Sequence, residues 1–128
     1  SLMGNFDVDL DFGQIYEKKI KELFEGDGSI EVKTERDIWA DTGNMFVEVR
    51  SRGKPSGIST TDAKWWIQVF TIDGDVKFTI MFRVDKLKKA IKYMYLNDLA
   101  SMVKGGDDNT SDGILAPINT LILLNKKF

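Results

Sequence analysis

The chain has 128 residues, 42% of them hydrophobic and 30% charged, with a net charge of −2, the balance of one folded domain spanning residues 1–128. It has no cysteine and no histidine, which excludes disulfide scaffolds, thiolate metal sites, imidazole-held zinc and every histidine-based triad. Hydrolysis would have to rest on carboxylates, lysine or a carboxylate-held metal, and polyanion binding on local clusters of Lys and Arg.

No run of about 18 apolar residues predicts a membrane span. The start lacks a charged-then-apolar signal pattern, and the absence of cysteine suits a reducing compartment, so the expected location is the cytoplasm. Ser1 and Leu2 precede Met3 and read as residues added before a natural start.

In chain order, the first expected helix covers Phe12 to Phe24. Ile15, Tyr16, Ile20, Leu23 and Phe24 follow helical spacing, with Glu17, Lys18, Lys21 and Glu22 on the other face. Asp11 suits the N-cap and Gly26-Asp27-Gly28 a terminating turn. The period then changes to two. Ile30, Val32 and Thr34 alternate with Glu31, Lys33 and Glu35, and Met45, Val47 and Val49 alternate with Phe46, Glu48 and Arg50. Joined by a loop over Ala40 to Gly43, these two strands are expected as an antiparallel hairpin with the aliphatic face in the core.

Gly53-Lys54-Pro55-Ser56-Gly57 reads as a loop, and Asp62 to Trp66 as a short helix. Ile67 to Ile72 and Val76 to Val84 read as strands around Asp73-Gly74-Asp75. A second long helix is expected from Asp85 to Val103, closed by Lys104-Gly105-Gly106. Asp107 to Asp112 is a polar loop, and Ile114 to Leu124 an edge strand and turn around Pro117. The expected class is α/β or α+β, a central mixed sheet flanked by helices.

In the hairpin register that sets Lys33 opposite Glu48, Glu31 faces Arg50, and all four charges share one face. Two carboxylates can hold Mg²⁺ or Mn²⁺, which prefers one or two carboxylates with waters and substrate phosphate. Such an ion activates water for phosphodiester hydrolysis, and a neighbouring cation steadies the water or the phosphate. The same alternation also suits a solvated ladder of ion pairs.

The order Glu17 on a helix, Glu31 on a strand and Glu48-Val49-Arg50 on the next resembles the PD-(D/E)xK nuclease superfamily, the restriction-endonuclease-like fold that includes archaeal Holliday junction resolvases. The stretch from Ile30-Glu31-Val32-Lys33 through Thr42-Gly43-Asn44 to Gly53-Lys54-Pro55-Ser56-Gly57-Ile58-Ser59-Thr60-Thr61 is similar to small phage-encoded proteins of that superfamily. The likeness covers Gly13 to Trp66. It implies a metal-dependent DNA nuclease, with Mg²⁺ or Mn²⁺ as cofactor and Glu31 and Glu48 as metal ligands. It also implies that Glu17 shapes the site or holds metal-bound water, that Lys33 orients the attacking water, and that Arg50 binds the scissile phosphate. A homodimer is implied where two strands are cut.

Two departures stand out. Glu31 occupies the usual aspartate position, and the second motif ends in Arg50, a fixed cation unsuited to a lysine's proton transfer. A competing alignment takes Glu31-Val32-Lys33 itself as the motif. The alternative function is an inactive nuclease-fold protein that binds nucleic acid or serves assembly. Arg52, Lys54, Ser56 and Lys64 are the expected DNA-backbone contacts. The loop at Gly53 lacks the spacing of a P-loop, and Asp107, Asp108 and Asp112 lack that of a calcium loop. Trp65 and Trp66 could stack on bases, but core packing of one of the two is the plainer expectation.

Overall fold

The computed structural model describes residues 2–26 and 29–128, with side chains described for 11–26, 29–106 and 108–128. The protein is α+β. Among the described residues, helices α1 (Leu2–Glu25), α2 (Trp39–Thr42), α3 (Val84–Leu96) and α4 (Ile118–Leu124) accompany seven strands: β1 (Ile30–Arg36), β2 (Asn44–Ser51), β3 (Lys54–Pro55), β4 (Trp65–Ile72), β5 (Asp75–Arg83), β6 (Ser101–Gly105) and β7 (Ser111–Pro117). A mixed sheet has the order β1-β4-β5, and an antiparallel sheet the order β3-β2-β7-β6. No helix among the described residues is long and apolar enough to cross a membrane.

One apolar core joins the two sheets. Met45, Val47, Ile114 and Ala116 come from the antiparallel sheet and Trp66, Phe70 and Phe82 from the mixed one. Leu87, Ala90, Ile91 and Met94 seal it from α3, at the spacing that puts them on one helix face. Trp39, on α2, stands edge-on to Phe70 and Phe78 at 5.3 and 5.2 Å. Its Nε1 donates to the Thr71 carbonyl at 2.8 Å, which fixes α2 over the mixed sheet.

The expected hairpin does not form. β1 pairs in parallel with β4, Lys33 beside Gln68, while β2 pairs with β7, Glu48 opposite Gly113. The connection from β1 to β2 folds as α2, closed by Gly43 at φ 72°, and so carries β2 to the other sheet. The core face of β1 is also reversed. Val32, an expected core residue, is 57% exposed. The face of Glu31, Lys33 and Glu35 is the one shared with Trp66, Gln68 and Phe70. A period of two says which side chains share a face; the paired strand decides which face is buried.

Other boundaries move too. α1 begins near Leu2, so Asp11 lies within the helix rather than capping it. Its stripe of Phe12, Ile15, Tyr16, Ile20 and Phe24 is exposed rather than inward. Asp27 and Gly28, from the expected closing turn, lie outside the described residues. No helix forms over Asp62 to Trp66; a 3₁₀ turn occupies Gly57–Ser59 and β4 begins at Trp65. The long second helix stops at Leu96. Asp98 takes φ 59°, and the Leu99 N–H donates to the Met94 carbonyl at 2.8 Å, closing the helix and freeing residues 101–105 as β6. β7 is an interior strand, not an edge, and α4 follows it after Pro117.

Candidate functional site

A cleft of roughly 630 Å³ opens between the sheets. Lys33 and Glu35 reach it from β1, Trp66 and Gln68 from β4 and Glu48 from β2, and residues 103–106 border it. It forms because β2 is covered by β3 only at Arg50 and Ser51. The remaining edge of β2 presents backbone donors to the side chains of β1. Glu35 answers one of them: its Oε1 accepts from the Phe46 N–H at 2.6 Å.

Glu35 is the best-anchored acid in the cleft. Its Oε1 also accepts from Gln68 Nε2 at 3.0 Å, and Gln68 Oε1 accepts from Trp66 Nε1 at 2.8 Å. Gln68 is buried, so this relay satisfies an amide that would otherwise be costly to bury. Burial pushes the Glu35 carboxyl above its ordinary value of 4.5, against the opposing pull of the Phe46 and Gln68 hydrogen bonds.

Glu48 is fixed from two sides. The Ser111 hydroxyl donates to its Oε1 at 2.6 Å. Behind it lies Gly57, with φ 55°, so close that an added Cβ would collide with the Glu48 carbonyl oxygen. Glycine is needed here for both the close approach and the left-handed backbone. Phe46 is accommodated similarly, its ring lying over Gly105 and Gly113, where any Cβ would collide with it.

Arg50 does not join Glu48. The register slips between the two, so that Glu48 pairs with Gly113 but Arg50 with Asp112. Adjacent residues of β7 point to opposite faces, and the bulge therefore sends Arg50 away from the cleft. There Arg50 Nε lies 2.8 Å from Asp112 Oδ2, and Lys104 Nζ 2.5 Å from Asp112 Oδ1. Hydrogen bonds from Lys104 and then Arg50 hold the Asp112 carboxyl below its usual range.

The other expected site residues are dispersed. Glu17 sits on α1, ion-paired with Lys21 at 3.4 Å and well exposed. Glu31 is on a different sheet from Glu48; it lies 3.7 Å from Lys33 Nζ and does not line the cleft. Lys33 also stands 5.9 Å from the centre of the Trp66 ring. Arg52 borders a smaller depression with Glu48, Ser51 and Ser111. Lys54 is exposed on β3, and Ser56 donates its N–H to the Val49 carbonyl while its hydroxyl is buried. Lys64 lies at the start of β4 in another depression, with Arg83 and Lys88.

Sequence reasoning missed Glu35 and Gln68 as site residues. Glu35 is the third member of the Glu31, Lys33, Glu35 alternation. Gln68 is a lone amide inside the apolar run Trp65 to Ile72, itself a signal of a buried polar contact.

Among the described residues, no three Asp or Glu side chains gather as a closed metal cage. Two carboxylates facing one cleft do suit an ion that keeps its waters and takes a phosphate oxygen. Among the described residues, the hydrogen bonds to the Glu35 and Glu48 carboxylates end on Oε1. Scans of protein-family models, of curated proteins and of solved structures each return no match to this chain.

Proposed function

We propose that the cleft hydrolyses phosphodiester bonds of DNA with the help of Mg²⁺ or Mn²⁺. The carrying observation is that Glu35 and Glu48, one from each sheet, line a single cleft together with Lys33. The resemblance of this region to PD-(D/E)xK nucleases supports the reading, and the α+β architecture is then a restriction-endonuclease-like variant. Glu35 replaces Glu31 as partner of Glu48 in holding the ion. When bound, the ion would lower the pKa of a water molecule and offset charge on the phosphate.

The chain's own residues have separate tasks. Gln68 and the Phe46 N–H orient Glu35, and Ser111 orients Glu48. The Lys33 ammonium supplies the positive charge that steers the attacking water or the phosphate. Glu31, 3.7 Å from it, acts as a positioning residue for that ammonium. Arg50, held by Asp112 on the opposite face, serves the fold.

The test is cleavage of plasmid and branched DNA in Mn²⁺ or Mg²⁺. Glu35→Gln, Glu48→Gln and Lys33→Ala are each expected to lose activity by at least about a hundredfold, with folding checked by circular dichroism. Arg50→Ala is expected to cut at a rate near wild type. Cleavage by Glu48→Gln equal to wild type would discard the proposal. A second reading, an inactive nuclease-fold binding protein, is favoured by the diversion of Arg50 to Asp112. It predicts DNA binding without metal-dependent turnover by the wild-type protein.

A further inference from the structure

Charge is distributed unevenly along this acidic chain. From Lys64 to Lys92 it carries seven Lys and Arg against three Asp, an excess of four positive charges where the whole chain has −2. The fold concentrates these cations around α3. Lys88 joins Lys64, Arg83 and Trp65 around a depression of about 530 Å³ at the start of β4. On its other side Lys88, with Lys92, borders a second depression that holds Ser59 and Tyr95. Lys88 lines both depressions, and Lys92, one helical turn on, continues its ridge along the second. Asp85 is the acid of the first depression, and Arg83 already stands 3.4 Å from it.

Both depressions combine cations, a hydroxyl and an aromatic ring. Thr61 and Trp65 line one, Ser59 and Tyr95 the other, and Tyr95 is 44% exposed. Cations tracking a backbone, with rings available for stacking, are how single strands are held without sequence preference. The loop supplying Ser59 and Thr61 also supplies Gly57, which presses on Glu48. One short loop thus borders the basic ridge and supports the cleft acid.

We infer that the α3 ridge of Lys88 and Lys92, flanked by Trp65 and Tyr95, binds the phosphate backbone of a nucleic-acid strand. This surface is separate from the cleft. Its role in presenting substrate rests on the nuclease reading, but its binding does not.

The experiment is fluorescence anisotropy with a single-stranded and a double-stranded DNA oligomer, in EDTA, across a salt series. Wild type is expected to bind with a log–log salt dependence. The double variant Lys88→Glu/Lys92→Glu should bind at least about tenfold more weakly, its salt slope shallower by roughly 0.7–0.9 for each phosphate no longer neutralised. A control of equal charge change on α1, Lys18→Glu/Lys21→Glu, should stay within about twofold of wild type, since the effect is local. Tyr95→Ala should weaken the single strand selectively; equal loss on both oligomers would assign the ridge to duplex and remove the stacking role. No wild-type binding at about 50 mM salt, or equal losses in ridge and control variants, overturns the inference. So does binding to anionic vesicles with no binding to DNA. Metal-free binding lost in the ridge variant and kept in Glu48→Gln separates this surface from the cleft: the inference then stands even if no cleavage is found.

Discussion

Glu35 carries the tension of the site in a single side chain. The proposed function calls for its carboxylate where burial disfavours charge, and two donors only partly offset the cost. A carboxyl whose folded value is raised binds more protons in the native than in the unfolded chain. Its stabilising contribution is therefore complete below about 4.5 and is lost as pH rises through the raised value. Glu35→Gln keeps an oxygen for Phe46 and Gln68 and has no charge to bury. Its melting temperature at pH 7 is expected to exceed that of wild type, with the difference vanishing near pH 4. A lower melting temperature at pH 7 would contradict this account. Gly57 acts in the opposite sense. Gly57→Ala meets both φ 55° and a colliding backbone oxygen of Glu48, so a loss of about 2 kcal/mol or more is expected in urea unfolding.

Among the elements, β2 sets the placement of its two charges through one bulge. Without the slip between Glu48 and Arg50, strict alternation would set both charges on one face. The bulge separates them and leaves Arg50 to Asp112. The helices divide just as clearly. α3 buries Leu87, Ala90, Ile91 and Met94, whereas the described apolar side chains of α1 are largely exposed, Phe24 at 61%. Chemically similar substitutions should therefore differ sharply. Leu87→Ala is expected to cost about 2–5 kcal/mol, and Ile20→Ala under about 1 kcal/mol. Chemical denaturation of the two variants compares them directly; similar losses would mean that α1 packs on the protein in solution.

At the scale of the molecule, two sheets meet along one shared core and open into a cleft where polar groups from both converge. Composition and periodicity already determined much of this. The absence of histidine and cysteine confined any hydrolytic chemistry to carboxylates and lysine. The alternations marked β1 and β2, the Asp73-Gly74 turn marked the hairpin of β4 and β5, and apolar spacing marked α3 as far as Met94. These are local features, set by the side-chain period and by turn chemistry. Which strand each strand pairs with is not local. Only the tertiary structure placed β1 beside β4 and β2 beside β7, turned Lys33 and Glu35 toward the cleft, and put Glu35 rather than Glu31 in the cleft that Glu48 lines. Strand partners are chosen by the burial of Trp66, Phe70, Met45 and Val47 together. That is a property of the whole core, which no window of sequence contains.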